Sequence, residues 1–128
     1  MKGRFLIFLA LGIVLASATL LLRARARSAS RDHLTVDQLA QHPEAFANQD
    51  LTLQGVVAAR VPEQRQFTVI DAAEYQACKV VTCSQYQVPI AFAGELPAAE
   101  QLVTITGRLT QPEPGRYLLE AQRVEAVR

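Results

Sequence analysis

Leu51-Thr-Leu-Gln-Gly55-Val-Val-Ala-Ala-Arg60 is the stretch on which the fold turns. Leu51 and Leu53 alternate with polar neighbours at the two-residue period of a strand with one buried face. Val56 and Val57 continue the β-rich run, and Gly55 interrupts it. A glycine inside a strand marks a bulge or a sharp bend, because it brings no side chain to pack there. Gly107 stands in a comparable position in a later strand, and the two glycines are where strands bend to close a sheet.

The same alternation recurs downstream. Gln66-Phe-Thr-Val-Ile-Asp71 is a second strand, reached through the short loop Val61-Pro-Glu-Gln-Arg65. Tyr86-Gln-Val-Pro-Ile-Ala-Phe92 is a third, with Val88, Ile90 and Phe92 on one face; Pro89 lacks an N–H and puts it at an edge or bulge. Gly94 to Glu100 reads as a turn or short helix. Gln101 to Leu109 is a fourth strand, aligning Val103, Ile105 and Leu109. Gln111-Pro-Glu-Pro-Gly115 is a tight turn by composition, and Arg116 to Val127 alternates Tyr117, Leu119 and Ala121. Five such strands are stable at this size when they close on themselves, which removes their edges. The prediction is an all-β fold, a five-stranded barrel. Ahead of it, Thr35-Val-Asp-Gln38 has the form of a capping box and opens a short helix with Val36, Leu39 and Ala40 inward. Pro43 suits the start of a second turn, Pro43 to Ala47, closed by Asn48.

Residues 1–31 read differently. Phe5 to Leu22 is apolar except for Ser17 and Thr19, and as a helix it would span about 27 Å against a hydrocarbon core of about 30 Å. Lys2 and Arg4 precede it as the positive flank of an export signal. Ala16-Ser17-Ala18 fits a signal-peptidase site, but the apolar run continues to Leu22 and favours an uncleaved anchor. Residues 5–22 are thus expected to meet the membrane as a signal anchor or transmembrane helix. The following RARARSASR is a basic, solvated tether. Domain organisation follows: anchor and tether over 1–31, folded domain over 32–128.

The net charge of +1 conceals a division. Residues 1–31 hold six bases and no acid, so +6; residues 32–128 hold seven bases against twelve acids, so −5. Nucleic-acid affinity is mostly phosphate neutralisation, so this balance weighs against a nucleic-acid partner.

The succession LxLxGxV over Leu51–Val57, FxVxD over Phe67–Asp71, VPIAFxGxLP over Val88–Pro97 and VxIxGxL over Val103–Leu109 resembles bacterial OB-fold proteins. The resemblance implies an OB-fold from Leu51 to Val127 and says little of function. A more distant resemblance, to the membrane-anchored haem chaperone of cytochrome c maturation, rests on the apolar segment ahead of the barrel and on the FxGxLP turn. It implies a periplasmic setting, with the domain outside the cytoplasm, although arginines on both flanks of residues 5–22 leave the positive-inside rule weakly opposed. That family works through a His followed four residues on by Tyr. Here His42 is followed four residues on by Phe46 and lies upstream of the barrel. Haem binding is therefore not carried over, and no cofactor is expected.

Cys78 and Cys83, in Cys-Lys-Val-Val-Thr-Cys, are the only cysteines. In an oxidising compartment they read as a local disulfide worth about 2 kcal/mol. A redox-active pair would want Cys-x-x-Cys spacing and a group that lowers a thiol pKa. A zinc site would need His33 and His42, which are remote in sequence; no metal site is expected. Asp71 reads as a turn cap rather than a base. No nucleophile motif, phosphate loop or paired-carboxylate spacing emerges, so no catalytic residue is assigned. OB-folds bind through the face of strands two and three and the adjoining loops. Arg60, Arg65, Phe67, Tyr86 and Arg116 are the ligand-binding candidates on that basis, against the reading that they are scattered solvated side chains with Phe67 in the core. The expected function is a non-catalytic, membrane-tethered module of the cell envelope that binds a protein partner or small ligand. The alternatives are single-strand nucleic-acid binding and a thiol-redox or haem-handling accessory role.

Overall fold

A computed structural model describes residues His33–Arg128. The expected apolar helix over residues 5–22, the basic tether and the boundary at residue 31 lie outside the described residues. Among the described residues no helix is long and apolar enough to cross a membrane.

Six strands, β1 (Leu34–Thr35), β2 (Asp50–Val61), β3 (Gln66–Ile70), β4 (Val88–Phe92), β5 (Leu102–Glu113) and β6 (Arg116–Ala126), form one sheet. Neighbours run β1-β2-β3-β4-β6-β5, and β5 pairs back onto β2, so the five longer strands close into a barrel. All pairs among them are antiparallel except β4–β6. This is the closed five-stranded barrel that the alternation and its glycines imply, in the OB-fold arrangement that the resemblance implies.

Gly55 lies where β2 changes partner. Asp50 to Val56 pair with β5, and Val56 to Val61 pair with β3. A Cβ at Gly55 would meet Ile70 O and Val36 Cγ2 at 2.9 Å each. The absent side chain is what lets β3 and the incoming helix approach. At Gly107 a Cβ would press on the Glu120 carbonyl oxygen and lie 2.8 Å from Ala121 Cα, beside a register shift between β5 and β6. Both glycines serve close backbone approach within a curved sheet.

Helix α1 (Val36–Gln41) carries the expected capping box: Thr35 Oγ1 accepts from Gln38 N at 3.2 Å, and Thr35 N donates to Gln38 Oε1 at 3.1 Å. β1 pairs in parallel with Leu53 and Gln54 of β2, which sets α1 against Gly55. Val36 and Leu39 are buried there among Leu53, Val57, Phe67, Val69, Ile90, Val103, Ile105, Leu109 and Leu119. The second turn is a short 3-10 segment, Pro43–Ala45, rather than a helix reaching Ala47.

Two local expectations need correction. Asp71 caps more than a turn. Its Oδ1 accepts from Ala73 N at 2.8 Å and Glu74 N at 3.4 Å, opening helix α2 (Ala72–Cys78). Strand β5 runs through Gln111 to Glu113, so the hairpin turns only at Pro114 and Gly115, where Gly115 takes φ +75°. Of the two forms expected for Gly94 to Glu100, the structure takes the turn: an irregular loop that ends in a turn at Ala99 and Glu100.

Candidate functional site

The parallel β4–β6 pairing is brief, joining Ile90, Ala91 and Phe92 to Leu119, Glu120 and Ala121. Toward the start of both strands the ladder lapses, and a groove of about 300 Å³ opens. Tyr86, Val88 and Pro89 line it from β4 and its approach, Tyr117, Gly115 and Leu109 from the β5–β6 hairpin, and Leu39, Ala40 and Pro43 from the α1 region. That volume is at the small end for ligand pockets, which are typically apolar with a few placed polar groups. The two phenols and the Gln87 amide are the polar side chains among its lining residues. Beside it Arg116 pairs with Glu113 at 3.5 Å, and His42 Nδ1 lies 3.6 Å from Glu44 Oε1, an ion pair only when the imidazole is protonated; all four side chains are well exposed.

The structure separates the five residues expected to bind. Tyr86 is half-buried in the groove wall, and exposed Arg116 adjoins Gly115 and Tyr117. Arg60 and Arg65 lie at the other end of the β3–β4 pair, roughly 13 Å of strand away. There the Arg65 carbonyl accepts from Phe92 N at 3.0 Å, and Arg60 Nη2 reaches Leu96 O at 3.5 Å. Phe67 faces inward with 0% exposure, so it is withdrawn as a ligand contact: its position in the β3 alternation places it in the core. The outward positions between these ends are Gln66, Thr68, Pro89 and Ala91. Those four carry neither a charge nor an aromatic ring, the two features on which single-strand binding rests.

Of the residues lining the groove, Tyr86 alone was a sequence candidate; Tyr117, Leu39 and Pro43 are among those that sequence reasoning passed over. The available signal was Pro89, whose missing N–H marks a place where a ladder is interrupted.

Near the junction of α1 and α2, three acids converge. Asp71 is buried in its capping role. Burial, then the negative charges of Asp71 and Glu74, raise the Asp37 carboxyl above its ordinary pKa. Asp37 Oδ1 and Glu74 Oε2 are both buried without a hydrogen-bond partner. Cys78, ending α2, is joined to Cys83 in the following 3-10 turn, with Cα atoms 6.3 Å apart. Among the described residues no three His, Cys, Asp or Glu side chains are grouped so as to hold a metal ion.

No protein-family model matches the chain, and no curated protein matches it in sequence. Solved structures match it in fold. The ygiW protein of E. coli superimposes with a TM-score of 0.54 at 14% identity, over 77% of this chain and 92% of that one. The S. pombe Stn1–Ten1 complex gives 0.50 at 12% identity, over 75% of each chain. Telomere capping protein Ten1 from Saccharomyces pombe gives 0.49 at 14%, over 74% of this chain and 79% of that one. At such identities the likeness to ygiW and to the Stn1–Ten1 complex concerns the fold alone, and it agrees with the OB barrel described above.

Proposed function

We propose that this chain is a non-catalytic, membrane-tethered binding module of the cell envelope, whose OB barrel takes a small ligand or a partner's side chain between Tyr86 and Tyr117. The observation that carries the reading is the lapse of the β4–β6 ladder, which leaves a groove walled by two tyrosines. Aromatic walls bury much area at low entropic cost, and their hydroxyls can orient a bound polar group. No residue lining the groove carries a charge, which favours an uncharged ligand that is partly aromatic or aliphatic. Tethering rests on the apolar run at 5–22, and an extracytoplasmic setting on the disulfide.

The chain has three tyrosines, Tyr75, Tyr86 and Tyr117. Incorporating 3-fluorotyrosine into the full chain, held in detergent micelles, gives one fluorine signal for each. N-acetyl-tryptophanamide, a neutral and soluble aromatic probe, is expected to shift the Tyr86 and Tyr117 signals saturably and leave Tyr75 in place. Equal movement of all three, or no saturable shift at millimolar probe, overturns the groove. Salt-sensitive binding of oligodeoxythymidine would replace this reading by the nucleic-acid one. A reporter fused to the C-terminus and found active only in the cytoplasm would sink the envelope setting.

A further inference from the structure

We infer that the Cys78–Cys83 disulfide is a reductant-accessible control point for the groove, fixing its Tyr86 wall when oxidised and releasing it when reduced. This rests on the groove reading above and adds its regulation.

The connection from Ala72 to Gln87 joins two well-anchored points, buried Asp71 and buried Val88, yet none of its sixteen residues is itself buried. Segments with few buried apolar contacts open locally at low free-energy cost. Most of its hydrogen bonds stay inside the connection or at its cap. Tyr75 N donates to Asp71 O at 3.1 Å, Lys79 N to Tyr75 O at 2.7 Å, Cys83 N to Val80 O at 3.4 Å, and Ser84 Oγ to Tyr86 O at 2.9 Å. Among the described residues, one side-chain bond reaches elsewhere: Tyr75 Oη to Glu100 Oε1 at 3.2 Å. With so little packing, the covalent bridge is the main constraint on the shape of residues 78–83. Tyr86 and Gln87, three and four residues beyond Cys83, are groove wall. Slack introduced at the bridge therefore reaches the wall directly.

Both cysteines are exposed, so a soluble dithiol can reach them. One thiolate of the dithiol attacks a protein sulfur, the Sγ–Sγ bond breaks and a mixed disulfide forms. The second thiolate then displaces the remaining protein sulfur. Two electrons and two protons end on Cys78 and Cys83, and the dithiol leaves as its own disulfide. Cys78 closes the C-terminus of α2, where the helix dipole disfavours a thiolate. That placement suits a pair that is acted upon, rather than one that oxidises or reduces other proteins.

The test compares the oxidised full chain in micelles with the same chain in dithiothreitol. Reduction is expected to speed amide hydrogen exchange over α2 and Lys79 about thirtyfold, which at 1.4 kcal/mol per tenfold is about 2 kcal/mol. Exchange in β2 and β5 should stay unchanged, and the affinity of N-acetyl-tryptophanamide should fall at least roughly fivefold. The double variant C78S/C83S should behave as the reduced chain and ignore dithiothreitol. Unchanged exchange over α2 on reduction overturns the inference. So does loosening of β2 and β5 to the same degree, which would make the bridge a general staple. Faster exchange with undiminished probe affinity refutes the coupling to the groove. If the probe fails to bind even the oxidised chain, the groove reading falls and its redox regulation with it, and the exchange contrast then reports only on the loop.

Discussion

Replacing Gly55 by alanine adds one methyl group where three elements meet. Its carbon would stand 2.9 Å from Ile70 O, 2.9 Å from Val36 Cγ2 and 3.1 Å from Val69 Cβ, all short of ordinary van der Waals contact. Ile70 is paired with Val56 in the β2–β3 ladder, so its carbonyl has little room to yield. Val36 is fully buried at the first position of α1, and can retreat only if the helix lifts from the barrel. Overpacking of this kind costs about 1–3 kcal/mol. The lost chain entropy of glycine in the unfolded state offsets about 0.4–1 kcal/mol. A net loss of about 1.5 kcal/mol lowers Tm by roughly 6–12 °C for a domain of this size. Thermal and urea unfolding of the full chain in micelles, followed by circular dichroism, measures it. Val36→Ala supplies the internal control, because it removes the crowded methyl. The double variant should therefore be about 1 kcal/mol more stable than the sum of the single losses. An unchanged Tm for G55A, or simple additivity in the cycle, would refute the claim that Gly55 exists to admit α1 and β3.

Thr35→Ala removes half of the capping box and should cost about 1 kcal/mol in the same unfolding assay, while Thr35→Ser keeps the acceptor and should cost little. Asp37 holds its proton more tightly in the folded chain than in the unfolded one, because of burial and the charges of Asp71 and Glu74. The stability this contributes is complete below the ordinary aspartate value of 3.8 and is lost as pH rises through the raised value. Asp37→Asn should therefore gain on the native chain as pH climbs toward neutrality in a series of urea titrations; a constant difference across pH would contradict it. Tyr117→Ala should lower N-acetyl-tryptophanamide affinity by about tenfold, read from the Tyr86 fluorine signal, while Arg65→Ala, at the far end of the β3–β4 pair, should leave it unchanged.

Local patterns were readable wherever the buried face was local. The capping box at Thr35 and Gln38 is complete within four residues, and the alternation of Leu51 with Leu53, or of Val103 with Ile105, follows from a two-residue period that needs no partner to be seen. Helix α2 escaped notice for the converse reason: no residue from Ala72 to Cys78 is buried as a whole, so it shows no apolar stripe. Only its Asp71 cap announces it, and a cap by itself does not distinguish a turn from a helix.

The candidate site was less legible than the barrel. Arg60, Arg65, Phe67, Tyr86 and Arg116 share a sheet region in the generic fold, yet pleat and strand direction send them to two ends and the core. Tyr86 and Tyr117 stand thirty-one positions apart in the chain and face one groove. What the amino-acid order determined unaided was the five barrel strands in their order, the capped helix α1 and the glycine bends that let the strands close, because period, caps and missing side chains act over a few residues. What only the tertiary structure decided was where the β4–β6 ladder stops, because that register depends on how far two distant strands can stay parallel around a closed barrel; the groove exists only as the gap it leaves.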